Sequence, residues 1–340
     1  MPLIDDILEA HARGKLAHQQ MRKIVAKHRQ PADFARYFAG EEAVVKALSG
    51  AACFRADAAA AYIERARDGG REKLLGHLPA LTPPYPLTWI EYNDTLDPTC
   101  DRAGILITAH GLRDLDAAER DGWRDTFTAD TLASIAAEDR PQLAEHLGRA
   151  AWVVTMHICT DDRPAKMLTA TGVGFIVPLS ADGVSTGLAF PIVDPFVREL
   201  WRSSGRTLDD TLGDFTSAMG VACMTLALLH CKNVRTEERV PDPGLQKHRM
   251  VLGKPPAVTY RTLVIDPMRA AGAAGAAGAG DSPARAYHLV RGHFAVYSAE
   301  RPLFGKHAGT FFVPAHVRGS AEAGIVLKDY ALADGVGDAL

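Results

Sequence analysis

Apolar positions along the chain follow two regimes. From Asp5 to about Gly76 the sequence is rich in Ala, Arg and Lys, and Leu3, Ile7 and Leu8, then Leu16, Met21, Ile24 and Val25, recur near helical spacing. Pro31, Gly40 and Gly69-Gly70 punctuate it. This pattern predicts a helical N-terminal region over residues 1–78. The connector L-P-A-L-T-P-P-Y-P follows, where prolines remove donors and bias their predecessors toward extended backbone. The period then changes. L-T-W-I-E-Y, G-I-L-I-T-A, W-V-V-T-M-H-I, V-G-F-I-V-P-L and G-L-A-F-P-I-V are short β-branched or aromatic runs separated by turn residues. They predict a mostly antiparallel sheet, with helices supplied by the charged segment from Leu112 to Arg149.

A short helix is expected over Phe196–Arg202. A longer one is capped at Thr207, carries Asp209 and Asp210 in its first turn, and runs to about Cys231. From Phe215 onward it is apolar on nearly every side, the mark of a buried central helix. Lys232 and Asn233 read as its C-terminal cation and left-handed cap. Beyond Pro241 lie further strands, V-T-Y-R-T-L-V-I, Y-H-L-V-R-G-H-F-A-V-Y, G-T-F-F-V-P-A-H-V and I-V-L-K. A Gly/Ala repeat without a packing face separates the first two and predicts a mobile loop over 269–283. The fold class is α+β. Its expected domains are the helical region 1–78, a central domain 79–240 and a β-rich module 241–340.

Composition narrows this picture. With 340 residues, 47% hydrophobic and 23% charged, the chain is ordinary for a packed globular protein. A net charge of −3 gives no global attraction to nucleic acid, so any such surface is local. Cys53, Cys100, Cys159, Cys223 and Cys231 are odd in number and form no C-x-x-C pair, which argues against a disulfide framework or a metal ribbon. The opening residues are acidic where a signal peptide is basic. The most apolar run, Ala218–Leu229, falls short of the ~20 residues that span a bilayer. A cytoplasmic protein with no membrane contact and no cofactor or metal is expected.

Candidate chemistry concentrates near the end of the chain. Strand side chains alternate between faces. Leu289, Arg291, His293, Ala295 and Tyr297 would share one face of the Tyr287–Tyr297 run; Thr310, Phe312, Pro314, His316 and Arg318 would share one face of the next. Pairing with the more apolar faces inward would collect Arg291, His293, Tyr297, Phe312, His316 and Arg318 on one surface. The intervening loop would add Arg301, Lys306 and His307. Aromatics stack bases and cations hold phosphate, so this surface suits single-stranded RNA. The same groups admit metal-independent RNA cleavage, with His293 and His316 as acid and base and Arg291 as anion stabiliser. They also admit a purely structural role beneath a covering helix. A bulge at Gly292 would shift the alternation.

Lys247, His248, Arg249 and Lys254 form a secondary basic cluster that reads first as a solvated face. His157, Asp161 and Asp162 lie at a strand end, where Asp-Asp before Arg-Pro reads as a turn rather than a metal site. T-G-V-G-F lacks the third glycine of a dinucleotide fingerprint, and no phosphate loop, nucleophile elbow or H-E-x-x-H occurs.

The order C-K-N-V, P-x-x-x-L-x-K-x-R, G-K-P-P-x-x-x-Y, H-L-V-R-G-H-F-x-x-Y and H-V-R-G resembles a widespread group of phage-encoded proteins. That group includes a type V-A anti-CRISPR protein acting on effector biosynthesis. The core of the resemblance is His288, Arg291, Gly292, His293 and Phe294. It implies an anti-defence protein in the cytoplasm of a bacterial host. Such a protein recognises the nascent polypeptide of a defence protein, engages RNA or the ribosome, and causes loss of the message, with a host nuclease as a possible further partner. The expected role is a binding adaptor; the alternatives are an endoribonuclease and a structural phage protein without a ligand.

Overall fold

A computed structural model describes residues 2–25, 32–65, 78–94, 100–112, 139–162, 167–186, 189–203, 205, 208–266, 286–290, 292–314, 316–318 and 320–325. The chain divides into two compact units, Met1–Asp266 and Pro267–Leu340. The class is α+β, as the pattern predicts. The borders differ from the expected 78/79 and 240/241, because strands on both sides of each join one sheet.

The first unit opens with α1 (Leu3–Ala12), α2 (Ala17–Val25) and α3 (Ala32–Leu48). The helical region also contains a strand, β1 (Ala52–Arg55), followed by α4 (Asp57–Arg65). Next come β2 (Leu87–Asn93), β3 (Cys100–Gly111), α5 (Arg140–Arg149), β4 (Trp152–Asp162), β5 (Met167–Leu179) and β6 (Phe190–Val193). The unit closes with α6 (Pro195–Ser203), α7 (Leu208–Leu229), β7 (Val234–Arg239), α8 (Pro243–Val251) and β8 (Tyr260–Ile265). The eight strands are ordered β6-β5-β4-β3-β2-β1-β8-β7. Only β1 runs parallel to its neighbours, β2 and β8; the other pairings are antiparallel.

Burial is unbroken from Thr88 to Tyr92, so both faces of β2 are covered and the usual alternation is lost. On one side Leu3, Ile4 and Ile7 of α1 and Val44, Val45 and Leu48 of α3 pack with Trp89, Leu106 and Cys159. α4 packs against β2 and α7, and α7 also meets β3, β4 and β7. Val221, Ala222, Met224, Leu226, Ala227 and Leu228 are fully buried, which makes α7 the central helix its all-round apolarity predicts. The expected cap Thr207 lies outside the described residues. Asn233 is not left-handed. It sits in the turn into β7, where its carbonyl accepts from Asp266 N at 2.8 Å.

A polar chain ties the first three helices together. Glu42 of α3 bonds His11 of α1 at 2.7 Å and His18 of α2 at 3.4 Å. His18 is buried, and burial holds its pKa below the ordinary value despite Glu42. The His11 bond leads the causes that hold the Glu42 carboxyl low. Both groups bind protons more readily in the unfolded chain. Their contribution is therefore complete above about pH 6.5 and declines as pH falls through the folded pKa of His18 and then of Glu42. The thermal midpoint should fall between pH 7 and pH 5, and His18→Leu should flatten that fall in scanning calorimetry. An unchanged slope would place the acid-sensitive group elsewhere.

The second unit contains β9 (Ala286–Val290), β10 (His293–Tyr297), β11 (Gly309–Val313), β12 (His316–Arg318) and β13 (Ser320–Ile325). β10 and β11 form a hairpin, and β9 lies between β12 and β13. The Gly/Ala repeat at 269–283 and most of the expected strand I-V-L-K lie outside the described residues.

Candidate functional site

The Tyr287–Tyr297 run is two strands rather than one. β9 ends at Val290 and β10 begins at His293; on the partner side β11 ends at Val313 and β12 begins at His316. The same antiparallel register holds across the interruption, with Val290 opposite His316 and His293 opposite Val313. Gly292 and Pro314 lie at the break, and a proline has no N–H to give to a ladder.

This register corrects the expected surface. Directly opposed residues of an antiparallel pair share a face. Phe294 opposes Phe312 and their rings sit 5.1 Å apart, whereas Tyr297 opposes Gly309 and its ring meets Phe311 at 5.7 Å. His293 and Tyr297 therefore share a face with Phe311 and Val313, not with Phe312. Phe312 is fully buried and presents no stacking surface. The sequence reading was out of step by one residue, and such a slip exchanges faces throughout a strand. Arg291 lies outside the described residues. The backbones of His316 and Arg318 lie in β12, opposite Val290 and His288. His293 and His316 thus lie in different sheets, β10-β11 and β12-β9-β13, and do not share a rung.

What remains together and exposed is the hairpin loop. Arg301, Lys306 and His307 are all at the surface. The loop is tightly built: the N–H groups of Lys306 and His307 donate to the Leu303 carbonyl at 3.1 and 3.0 Å, and Gly305 N donates to Pro302 O at 3.1 Å. Arg301 N reaches Ser298 Oγ at 3.2 Å, and that hydroxyl also bonds Glu300. Phe304 is held at φ 52°, the only non-glycine residue at positive φ among the described residues, and is half exposed. Backbone strain of this kind persists where surrounding bonds over-determine it. Sequence reasoning passed over Phe304. The available signal was an aromatic beside glycine in a loop already rich in cations.

The secondary basic cluster is split. Helical spacing turns Lys247 and His248 outward but Arg249 inward, where it is buried and Nε donates to Pro255 O at 2.7 Å. Lys254 pairs with Glu9 at 3.0 Å. Only Lys247 and His248 remain exposed, so the solvated-face reading fits half of the cluster.

A second concavity opens in the first unit, a cavity of about 650 Å³ lined by Pro2, Asp6, Arg55, Asn93, Asp101, Arg102 and Asp161. Arg102 bridges Asp6 at 2.6 Å and Asp161 at 2.8 Å, while Arg55 bonds Asp57, Glu91 and Asn93 at 2.7, 2.8 and 2.7 Å. Asp161 also accepts the N–H groups of Asp101 and Arg102. It therefore anchors the start of β3, while β4 and β5 pair antiparallel up to Asp162 opposite Met167, which fits the chain reversal expected there; Arg163 and Pro164 lie outside the described residues. His157 is half-buried, with its pKa pushed down to about 4 by burial. Among the described residues no three His, Cys, Asp or Glu side chains are grouped to hold a metal ion, and no helix is long and apolar enough to cross a membrane. Burial pushes the thiols of Cys53, Cys223 and Cys231 up to about 12, leaving negligible thiolate near neutrality. Comparison of the chain with protein-family models, with curated proteins and with solved structures finds no match.

Proposed function

We propose that this chain is a binding adaptor of the anti-defence class its C-terminal motifs resemble. In this reading it serves a phage or mobile element in a bacterial cell. It lowers production of a type V-A effector, or a comparable defence protein, by engaging the nascent polypeptide and causing loss of the message. The observation that carries the RNA half of the reading is Phe304, an exposed ring in a bonded left-handed turn beside Arg301, Lys306 and His307. A ring flanked by cations stacks a base and holds its phosphates without sequence preference. The open cavity around Arg55, Asn93, Asp101 and Arg102 supports the polypeptide half, since it offers charged side chains and the Asn93 side chain to an extended chain.

Anisotropy of a labelled single-stranded RNA in chelator tests the first half. Full-length protein should bind the intact RNA. Phe304→Ala should weaken binding roughly 5- to 150-fold, the equivalent of ~1–3 kcal/mol per stacked base. Lys306→Glu should weaken it further and reduce the salt dependence. Absence of binding at low salt, or indifference to Phe304→Ala, would remove the loop from RNA recognition. RNA shortened in chelator by wild type but not by His293→Ala would identify the endoribonuclease instead.

A further inference from the structure

Nine large apolar side chains are exposed among the described residues, and five of them, Val240, Leu245, Met250, Val251 and Leu252, lie on or beside α8. Met250 and Val251 are 76% and 77% exposed, unusual for side chains of this size in succession. The helix itself is firmly built. Asp242 caps it by accepting from Gly244 N and Leu245 N at 2.7 and 3.1 Å, and Pro243 occupies its first turn. One side ties it to the body through Arg249 and through Gln246, which exchanges two hydrogen bonds with Ala257 at 2.8 and 3.0 Å. Residues four apart share a helix stripe. Lys247 therefore lies in line with Val251, with Met250 three positions on from it, on the side turned away from Arg249; His248 stands on the flank and Leu252 is the C-cap residue.

The charges around this ridge favour one kind of partner. α8 contains no acidic residue. The carboxylate of Asp242 is engaged by the cap, Glu237 lies between Arg235 and Arg239 at 2.5 and 3.4 Å, and Lys254 is paired with Glu9. Among the described residues Lys247 and His248 enter no ion pair. A second copy of the chain meeting this ridge about a two-fold axis would bring like charges together. A lipid surface would find a helix of nine residues and a single lysine, far less than interfacial binding uses. An acidic apolar segment satisfies both parts of the surface.

We propose that the outer stripe of α8 is a docking surface for a helical segment of another protein, one whose apolar stripe is bordered by acidic side chains. The partner helix lies along Met250 and Val251 and sets its carboxylates against Lys247. A helix of nine residues is about 14 Å long, so the contact is small and the complex transient. This surface does not depend on RNA binding by the hairpin loop.

The test uses the full-length protein and two labelled synthetic helices with identical leucine stripes, one bordered by glutamate and one by lysine. The acidic helix should bind at least about tenfold more tightly than the basic one, a difference of ~1.4 kcal/mol. Val251→Asp should abolish that binding while leaving circular dichroism and RNA anisotropy at wild-type values. Lys247→Glu should weaken the acidic helix and strengthen the basic one, an exchange that general misfolding cannot produce. Equal binding of the two helices, or indifference to Val251→Asp, overturns the proposal. So does a dimer in sedimentation velocity, or flotation with phosphatidylserine vesicles, that Val251→Asp removes, since either would identify a different occupant.

Discussion

Replacing Glu91 by alanine is expected to lower the stability of the first unit by about 3–5 kcal/mol, the usual consequence of removing one member of a buried charged pair. Glu91 is fully buried at the middle of the sheet. Five donors converge on its carboxylate: Leu3 N at 2.8 Å, Ile4 N at 3.2 Å, Trp89 Nε1 at 3.1 Å, Tyr260 Oη at 2.8 Å and Arg55 Nη1 at 2.8 Å. Two of these are the orphan N–H groups that begin α1, whose own N-cap residue, Pro2, has no capping side chain. A strand residue therefore caps a helix from 88 positions away. Burial, then the Glu91 charge, raises the pKa of Tyr260, so the phenol stays a donor across the ordinary pH range. Alanine leaves a buried phenol, an indole N–H and two backbone N–H groups without their acceptor, and takes from the half-buried Arg55 guanidinium one partner while Asp57 and Asn93 remain. The melting midpoint of the first unit should drop by roughly 10 °C. Glu91→Gln keeps the shape but turns an NH2 group toward donors, and should recover only part of the loss. A drop of less than about 1 kcal/mol, the size of one ordinary hydrogen bond, would show that water or rearranged side chains replace the carboxylate.

The second large effect is expected at Gly104. It stands opposite Glu91 on β3, and a Cβ there would overlap Cζ2 and Cη2 of the Trp89 indole. That ring is fully buried and its Nε1 is held by Glu91, so it cannot swing aside cheaply. Gly104→Val should cost at least the ~1–3 kcal/mol of overpacking, plus about 1 kcal/mol for the displaced indole bond. The cycle with Trp89→Leu provides the check. If the indole is the obstacle, Gly104→Val should cost much less once it is gone, giving strong non-additivity in chemical unfolding. Additive losses would place the obstacle in the β3 backbone instead.

These residues show where sequence reading stopped. L-T-W-I-E-Y was legible as a strand, but a glutamate inside it reads as a solvent-facing position. Its role depends on α1, Arg55 and Tyr260, which arrive from distant parts of the chain. β1 was missed because four residues are too few for a period to show, and Ala52–Arg55 follows a long helical pattern. In sequence Arg249 is one cation of a surface run, and only its burial against the body of the unit sets it apart from Lys247 and His248.

The candidate site divides in the same way. The two C-terminal runs, their tendency to pair and the cationic loop between them were all readable. Gly292 offers the place where alternation can fail. Their register was not readable, because Phe311 and Phe312 are both apolar and either could face Phe294. Packing chose Phe312, which became core.

By itself the amino-acid order determined the α+β class, the positions of most helices and strands, the buried central helix and the loop that carries the cations. Those properties arise from spacing within one segment, where 3.6- or 2-residue periods and turn residues act locally. Tertiary structure alone decided which strand faces meet, that β1 enters the sheet between β2 and β8, and that Glu91 caps α1. It also decided that Phe304 stays outside while Phe312 does not. Each is a choice between segments far apart in the chain, and only their combined burial and hydrogen bonding separates one arrangement from its one-residue neighbour.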